Sequence, residues 1–313
     1  MKASLQHQIA QRIDAEYTQH ELIQPLWNNY GSLCRLYVSG HPKFSSIIVK
    51  HVKIPTTTQH PRGFNTDISQ ERKIKSYIVE QAWYQHYNPL LNQQTCATPE
   101  CIDVWQDELD TFMLLEDLRN RGFHPYRGTI DWEQITAVLD WLAHFHATFM
   151  SQTVDGLWES GTYWHLQTRP DELRRISGRK EYAYAGCIDA RLRTAQFQTI
   201  VHGDAKLANF CFAADGRVAA VDFQYVGGGC GMKDVAYFIS SCLCEDECER
   251  QEGALLNYYF QTLETALTAH LVMPDGHPGD EFLKRIAHML EHDHNIGHAT
   301  LQIEQNRDCD GGC

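Results

Sequence analysis

The sequence predicts an α+β protein in two lobes, a small one built on an antiparallel sheet and a larger, mainly helical one after it. Three observations lead there. Short runs of apolar and β-branched residues are concentrated in the first third of the chain. After Asp131 the apolar residues recur at a helical period. No internal repeat or low-complexity linker breaks the chain, and 313 residues suffice for two lobes around a cleft.

Taken in order, Leu33–Val38 and Ser46–Val52 read as strands, with turns at Tyr30-Gly31-Ser32 and Ser39-Gly40-His41-Pro42. Residues 54–67, rich in Thr, Pro and Gly, read as a loop. Asp67 with Gln70 suggests a capping box, and no Gly or Pro follows until Pro89, so a helix is expected between them. Phe112–Leu115 is a short apolar run suited to a buried strand. Asp131–Met150 carries Ile135, Val138, Leu139, Leu142, Phe145 and Phe149 at a helical period. Thr199–Val201 and Val218–Phe223 read as two short strands joined by the turn Ala214-Asp215-Gly216. Helices are expected at Val235–Leu243, Glu252–Leu271 and Glu281–His292. The lobes should meet near Glu116–Leu118, giving an N-terminal lobe 1–115 and a C-terminal lobe 116–313.

Composition narrows the function. A formal net charge of −13 argues against a nucleic-acid footprint, which needs clustered Lys and Arg, and leaves room for a cationic or neutral substrate. No run of about 18 apolar residues suggests a membrane span. Residues 1–11 are polar and lack the core of a signal peptide, so a cytoplasmic location is expected. The eleven cysteines then read as reduced thiols.

The chemistry concentrates in Val201-His202-Gly203-Asp204-Ala205-Lys206-Leu207-Ala208-Asn209 and in Val221-Asp222-Phe223-Gln224. Phosphoryl transfer from ATP needs a carboxylate to orient or accept the acceptor's hydroxyl proton, and oxygen ligands for the magnesium that bridges the phosphates. Asp204 suits the first role, and Asn209 and Asp222 suit the second. Far upstream, Lys50 ends the run Ile47-Ile48-Val49. On the helix expected after Asp67, positions 73, 76, 77, 80, 83, 84 and 87 share one face. That face carries Tyr77, Trp83, Tyr84 and Tyr87 around Glu80. A carboxylate in an aromatic stripe is costly unless paired, and Lys50 is the natural partner.

These segments resemble the H-x-D-x-x-x-x-N catalytic loop and the Asp-Phe-Gly element of protein kinases and their relatives. With Leu114–Leu118 and Leu142–Ala147, they make the chain similar to the aminoglycoside phosphotransferase and choline kinase superfamily, of protein-kinase-like fold. Asp222-Phe223-Gln224 and Lys233-Asp234-Val235-Ala236-Tyr237-Phe238 most resemble its ecdysteroid-kinase-like branch. The likeness spans roughly Gly31 to Phe260. It implies an ATP- and Mg-dependent small-molecule kinase that moves the γ-phosphate to a hydroxyl of a choline-like, aminoglycoside-like or sterol-like acceptor. By the same resemblance Asp204 is the catalytic base and Lys206 steadies the transferring group. Asn209 and Asp222 hold magnesium, Lys50 and Glu80 position the phosphates, and Asp234 anchors the catalytic segment. Backbone groups of Glu116 and Leu118 would meet adenine, and Gly31 would let a turn cover the phosphates. Gln224 stands where protein kinases have glycine, so a swinging activation switch is not expected. The tail 293–313 matches nothing in the family pattern.

Two rivals compete with this reading. A non-catalytic pseudokinase is disfavoured because Lys50, Glu80, Asp204, Asn209 and Asp222 are all present. A metal-dependent phosphohydrolase would need several His and Asp ligands at one centre, and His202 alone does not supply them. Cys242, Cys244 and Cys248, with Cys309 and Cys313, match no common zinc spacing. His144 and His146 fit a helix ahead of the catalytic loop, one of them packed in the core. Glu245–Glu249 reads as a solvated helix start. A choline cage would need aromatics such as Trp158, Tyr163, Trp164, Tyr182 and Tyr184 to converge. Neither that nor the oligomeric state can be read from the sequence.

Overall fold

In the computed structural model, which describes residues 3–53, 67–107, 110–267, 269–272, 279–293 and 301–304, five strands build one antiparallel sheet. They are β1 (Glu16–Pro25), β2 (Gly31–Ser39), β3 (Ser46–Lys53), β4 (Cys101–Asp107) and β5 (Asp110–Glu116), ordered β1-β2-β3-β5-β4. The three inner strands are those announced by apolar runs. The two edge strands are not: β1 is almost wholly exposed and polar, and β4 is half-buried with a register shift between Cys101 and Asp103. Polar edges of this kind keep a sheet from pairing with other chains, so they carry little apolar signal.

One side of the sheet is closed by α1 (Ala3–Ile13), whose Ile9 and Ile13 pack with Leu36, Val38, Phe44, Ile47, Val49 and Leu114. Helix α2 (Asp67–Ala82) runs on through a π-helical turn, Trp83–Tyr87. Of its predicted inner face, Ser76, Tyr77, Glu80, Trp83, Tyr84 and Tyr87 are buried and Lys73 is half-buried. Segment 54–66 and the side chain of Asp67 lie outside the described residues, so the loop and capping box expected there do too.

The helical half is organised by α3 (Trp132–Thr148), capped by Asp131 and Gln134 in a reciprocal capping box. All six of its predicted apolar positions are buried. It packs against α6 (Met232–Cys242) and α7 (Glu245–Ala266). Glu245, Asp246 and Glu247 occupy the first turn of α7, so the acidic stretch is a helix start, as expected. Two short helices, α4 (Pro170–Arg175) and α5 (Lys180–Arg193), bury no residue and so have no apolar period to read. The helix α8 (Asp280–Asp293) and the parallel strands Ala269–Val272 and Leu301–Glu304 complete the described chain. Residues 294–300 and 305–313, including Cys309 and Cys313, lie outside it.

The strand pairing around the catalytic segment differs from expectation. The turn at Ala214-Asp215-Gly216 joins Phe210–Phe212 to Val218–Ala220. Thr199–Val201 pairs instead with Gly227–Gly229. A triple-glycine strand offers no β-propensity to read. Gly227 is required by close approach: a Cβ on it would stand 2.1 Å from the Trp158 carbonyl oxygen.

Candidate active site

The His202–Asn209 segment follows directly from the Thr199–Val201 strand, turning at Gly203, whose φ is 80°. A Cβ there would lie 2.1 Å from the Tyr225 carbonyl oxygen, so glycine is required twice over. Asp234, in the first turn of α6, holds the turn. Its Oδ2 accepts the His202 N–H at 2.6 Å and its Oδ1 the Gly203 N–H at 2.9 Å. His146 Nε2 on α3 also meets Asp234 Oδ2 at 3.2 Å, and His146 Nδ1 meets the Tyr259 hydroxyl at 2.9 Å. Burial pushes the Asp234 carboxyl up, but the His146 hydrogen bond, the polar His146 and His202 rings and the Gly203 N–H outweigh it. The carboxyl ends below its ordinary range. The His202 ring is committed to backbone: Nδ1 accepts the Asp204 N–H at 3.3 Å, and Nε2 donates to the Val221 carbonyl at 3.0 Å.

Asp204 is 3% exposed. Its Oδ2 accepts Lys206 Nζ at 2.7 Å and Asn209 Nδ2 at 3.1 Å, while Asn209 Nδ2 also donates to the Asp204 carbonyl at 2.8 Å. Asp204 Oδ1 is buried with no hydrogen-bond partner among the described residues, and so is Asp222 Oδ1. An unmet buried acceptor costs about 1–3 kcal/mol, so both carboxylate oxygens are open to a donor or a cation. Asp222 has φ 69°, a left-handed conformation unusual for a non-glycine residue. Burial alone would lower Lys206, but its hydrogen bond to Asp204, then the charges of Asp204 and Asp222, raise it above an ordinary lysine.

Lys50 and Glu80 form the expected pair, Nζ to Oε2 at 2.5 Å, with both side chains buried. Burial pushes the Glu80 carboxyl up while Lys50 beside it works the other way. Lys73, on the same face of α2, was not assigned a role from the sequence. Its Nζ donates to Gln224 Oε1 at 2.5 Å. A lysine on an otherwise aromatic stripe is the signal that singles it out.

The end of β5 is anchored from both sides. Asp117 Oδ2 accepts Arg35 Nε at 2.5 Å and Ser46 Oγ at 2.7 Å, and its Oδ1 caps the turn Leu118–Arg121. The Glu116 N–H donates to the Glu100 carbonyl at 2.9 Å, and the Glu116 carboxylate pairs with Arg121 at 3.0 Å. Gly31 opens β2 rather than lying in a turn; the turn is Leu26–Tyr30. A Cβ on Gly31 would lie 1.8 Å from the His51 carbonyl oxygen, so its own sheet demands glycine.

Beyond Asp204, the Tyr237 phenol on α6 is pushed up by burial and by the Asp204 carboxylate. The Arg169 guanidinium lies 3.7 Å from the Tyr163 ring centroid and 5.0 Å from that of Trp164. Lys75 Nζ lies 4.5 Å from the centroid of Trp158. The protein's own cations therefore already stack on three of the five aromatics suggested for a choline cage.

Asn209 and Asp222 suit magnesium by chemistry: both offer hard oxygens, and Asp222 Oδ1 is orphaned. This ion commonly takes one or two protein carboxylates and completes its shell with phosphates and water. Among the described residues no group of three His, Cys, Asp or Glu could hold a metal ion by itself. Nor is any helix among them long and apolar enough to cross a membrane.

Comparison with known structures finds several phosphotransferases to which this chain is similar. A thermostable mutant of aminoglycoside phosphotransferase APH(4)-Ia, in complex with ADP and hygromycin B, is 12% identical with a TM-score of 0.50. The match covers 84% of this chain and 89% of that one. Macrolide 2'-phosphotransferase MphH from Brachybacterium faecium is 13% identical with a TM-score of 0.49, over 93% of this chain and 89% of that one. Choline kinase LicA from Streptococcus pneumoniae is 14% identical with a TM-score of 0.46, over 82% and 79%. At 12% identity the first of these shows a likeness of fold alone. No individual curated protein matches the sequence. The ecdysteroid kinase-like family model matches residues 46–157 and 149–271, which take in both halves of the site, and the chain belongs to that family.

Proposed function

We propose that the protein transfers the γ-phosphoryl group of Mg·ATP to a hydroxyl of a small molecule. The observation that carries this reading is the pair of orphaned buried oxygens, Asp204 Oδ1 and Asp222 Oδ1, with the buried Lys50–Glu80 pair near enough to feel the Asp222 charge. Family membership supports phosphotransfer in general; the nucleotide, the metal and each residue's role are our assignments.

In this reading adenine meets the Glu116 carbonyl and the Leu118 N–H. Of Glu116 only the carbonyl can serve, since its N–H is taken by Glu100. Lys50, steadied by Glu80, holds the α- and β-phosphates. The Leu26–Tyr30 turn, which leads into Gly31, covers them. Asn209 and Asp222 would hold magnesium, which when bound neutralises charge on the phosphates. Asp204 Oδ2 is occupied by Lys206 and Asn209, so Oδ1 is left to take the acceptor's proton. The acceptor oxygen then bonds to the γ-phosphorus as the bond to ADP breaks. Lys206, kept cationic by Asp204, offsets charge on the transferring group.

A thermal-shift titration with ATP, with and without magnesium, on wild type and Asp222→Ala tests the reading. Stabilisation that needs both magnesium and Asp222 is expected through linkage. No shift at saturating Mg·ATP in the wild type would overturn it.

A further inference from the structure

Gln224 closes the Asp222-Phe223-Gln224 run, and its side chain is buried. Gln224 Oε1 accepts Lys73 Nζ at 2.5 Å and Ser76 Oγ at 3.3 Å. Its backbone carbonyl accepts the Trp158 indole N–H at 2.8 Å. Lys73 and Ser76 stand on α2, two turns and one turn before Glu80. A single amide, two residues after Asp222, thus joins the helix that carries Glu80 to the segment that carries Asp222. Phe223, between them, stacks on Trp83 at the far end of the same helix, ring centroids 4.5 Å apart and planes 14° apart. Both residues that follow Asp222 therefore grip this helix, Gln224 at its middle and Phe223 where α2 runs into the π-helical turn.

The lysine side of this contact is demanding. Its ammonium carries three donors, and burial lowers it to about 8, with Lys50 adding to the drop and Asp222, Glu80 and Asp204 opposing it. The Tyr77 ring lies between the two lysines, 4.9 Å from Lys73 Nζ and 5.8 Å from Lys50 Nζ. A half-buried ammonium is unfavourable unless its partners compensate, and the acceptor Lys73 Nζ meets is the Gln224 amide.

We propose that Lys73 and Gln224 form a latch that fixes α2 against the Asp222 segment, so that Lys50, Glu80 and Asp222 stay in register without a separate activation step. Lys73 is here a positioning residue, acting through Gln224. The proposal rests on the reading of Lys50, Glu80 and Asp222 as the nucleotide and metal site.

The test uses the full chain as wild type, K73M, Q224M, the double variant, K73R and Q224E, with two readouts: Mg·ATP affinity and amide hydrogen exchange across α2 and α3. K73M and Q224M should each weaken Mg·ATP binding about tenfold, the size of one charge-assisted hydrogen bond. The double variant should be no weaker than either single. Without nucleotide, α2 amides should exchange faster in both single variants while those of α3 stay protected. K73R and Q224E keep a donor and an acceptor across the gap and should retain most of the α2 protection. Unchanged α2 exchange in both Met variants would overturn the latch. So would additive losses in the double variant, which would leave Lys73 acting alone, as a direct phosphate contact would. If a Met variant also exposes α3, the K73R and Q224E comparison decides: loss of α2 protection there counts against the latch. A wild type that does not bind Mg·ATP would overturn the nucleotide reading instead, and α2 exchange would still judge the latch.

Discussion

At the scale of single residues, the two oxygens of Asp204 have different surroundings. Oδ2 is bonded to Lys206 and Asn209, while Oδ1 is buried and unmet. That asymmetry predicts the behaviour of Asp204→Asn. The amide keeps the volume and can still accept from one neighbour, but it cannot take a proton from an acceptor hydroxyl. Phosphoryl transfer to an acceptor found by screening should fall by about 10²–10⁴, the usual worth of a general base. Mg·ATP affinity, measured by titration, should stay close to wild type, because the assigned nucleotide contacts lie on other residues. Wild-type turnover in this variant would remove Asp204 from the role given to it.

At the scale of elements, the catalytic turn depends on an anchor from a different helix. Asp234 on α6 takes two backbone N–H groups of the turn, and His146 on α3 braces it from behind. In Asp234→Asn one of those N–H groups loses its acceptor, a loss of about 1–3 kcal/mol at pH 7. Because the native Asp234 carboxyl lies below its ordinary value of 3.8, its contribution is fully present above that pH and is lost as pH falls through the native value. Urea unfolding should therefore show a constant gap between wild type and variant down to about pH 4, closing below it. A gap that persisted or widened at pH 3 would contradict this account. The elements also show what a single sequence can and cannot reveal. Lys50 and Glu80 were legible because a carboxylate on an aromatic helix face demands a partner. The inner strands and α3 were legible because they are buried with regular period. The edge strands β1 and β4, the exposed α5 and the triple-glycine strand were not, since each lacks the apolar pattern on which such reading relies. Lys73 and Gln224 went unpaired for another reason: they are 151 positions apart, and only the fold brings them together.

At the scale of the whole molecule, burial gathers into one large core, a smaller one under α1 and two lesser clusters, and the first two should respond differently to damage. The large core runs from Val79 and Trp83 on the α2 side to Phe223, Phe238 and Tyr259 in the helical half. Trp83 is fully buried and packs against Phe145, Phe149 and Phe223, so it ties both halves together. The smaller core, under α1, involves only the outer face of the sheet. Trp83→Ala should cost about 3–5 kcal/mol and should speed hydrogen exchange in α2 and α3 together, because the cavity opens in a core they share. Ile9→Ala should cost about 2–5 kcal/mol locally, with faster exchange in β2 and β3 while α3 keeps its protection. The contrast matters for function, since the assigned phosphate lysine sits on β3 and its glutamate on α2. Damage to the α1 core should weaken Mg·ATP binding by loosening Lys50, yet leave the catalytic turn and its Asp234 anchor ordered. If Ile9→Ala instead unprotected α3 as fully as Trp83→Ala does, the two cores would be one cooperative unit, and the sheet could not loosen without the helices.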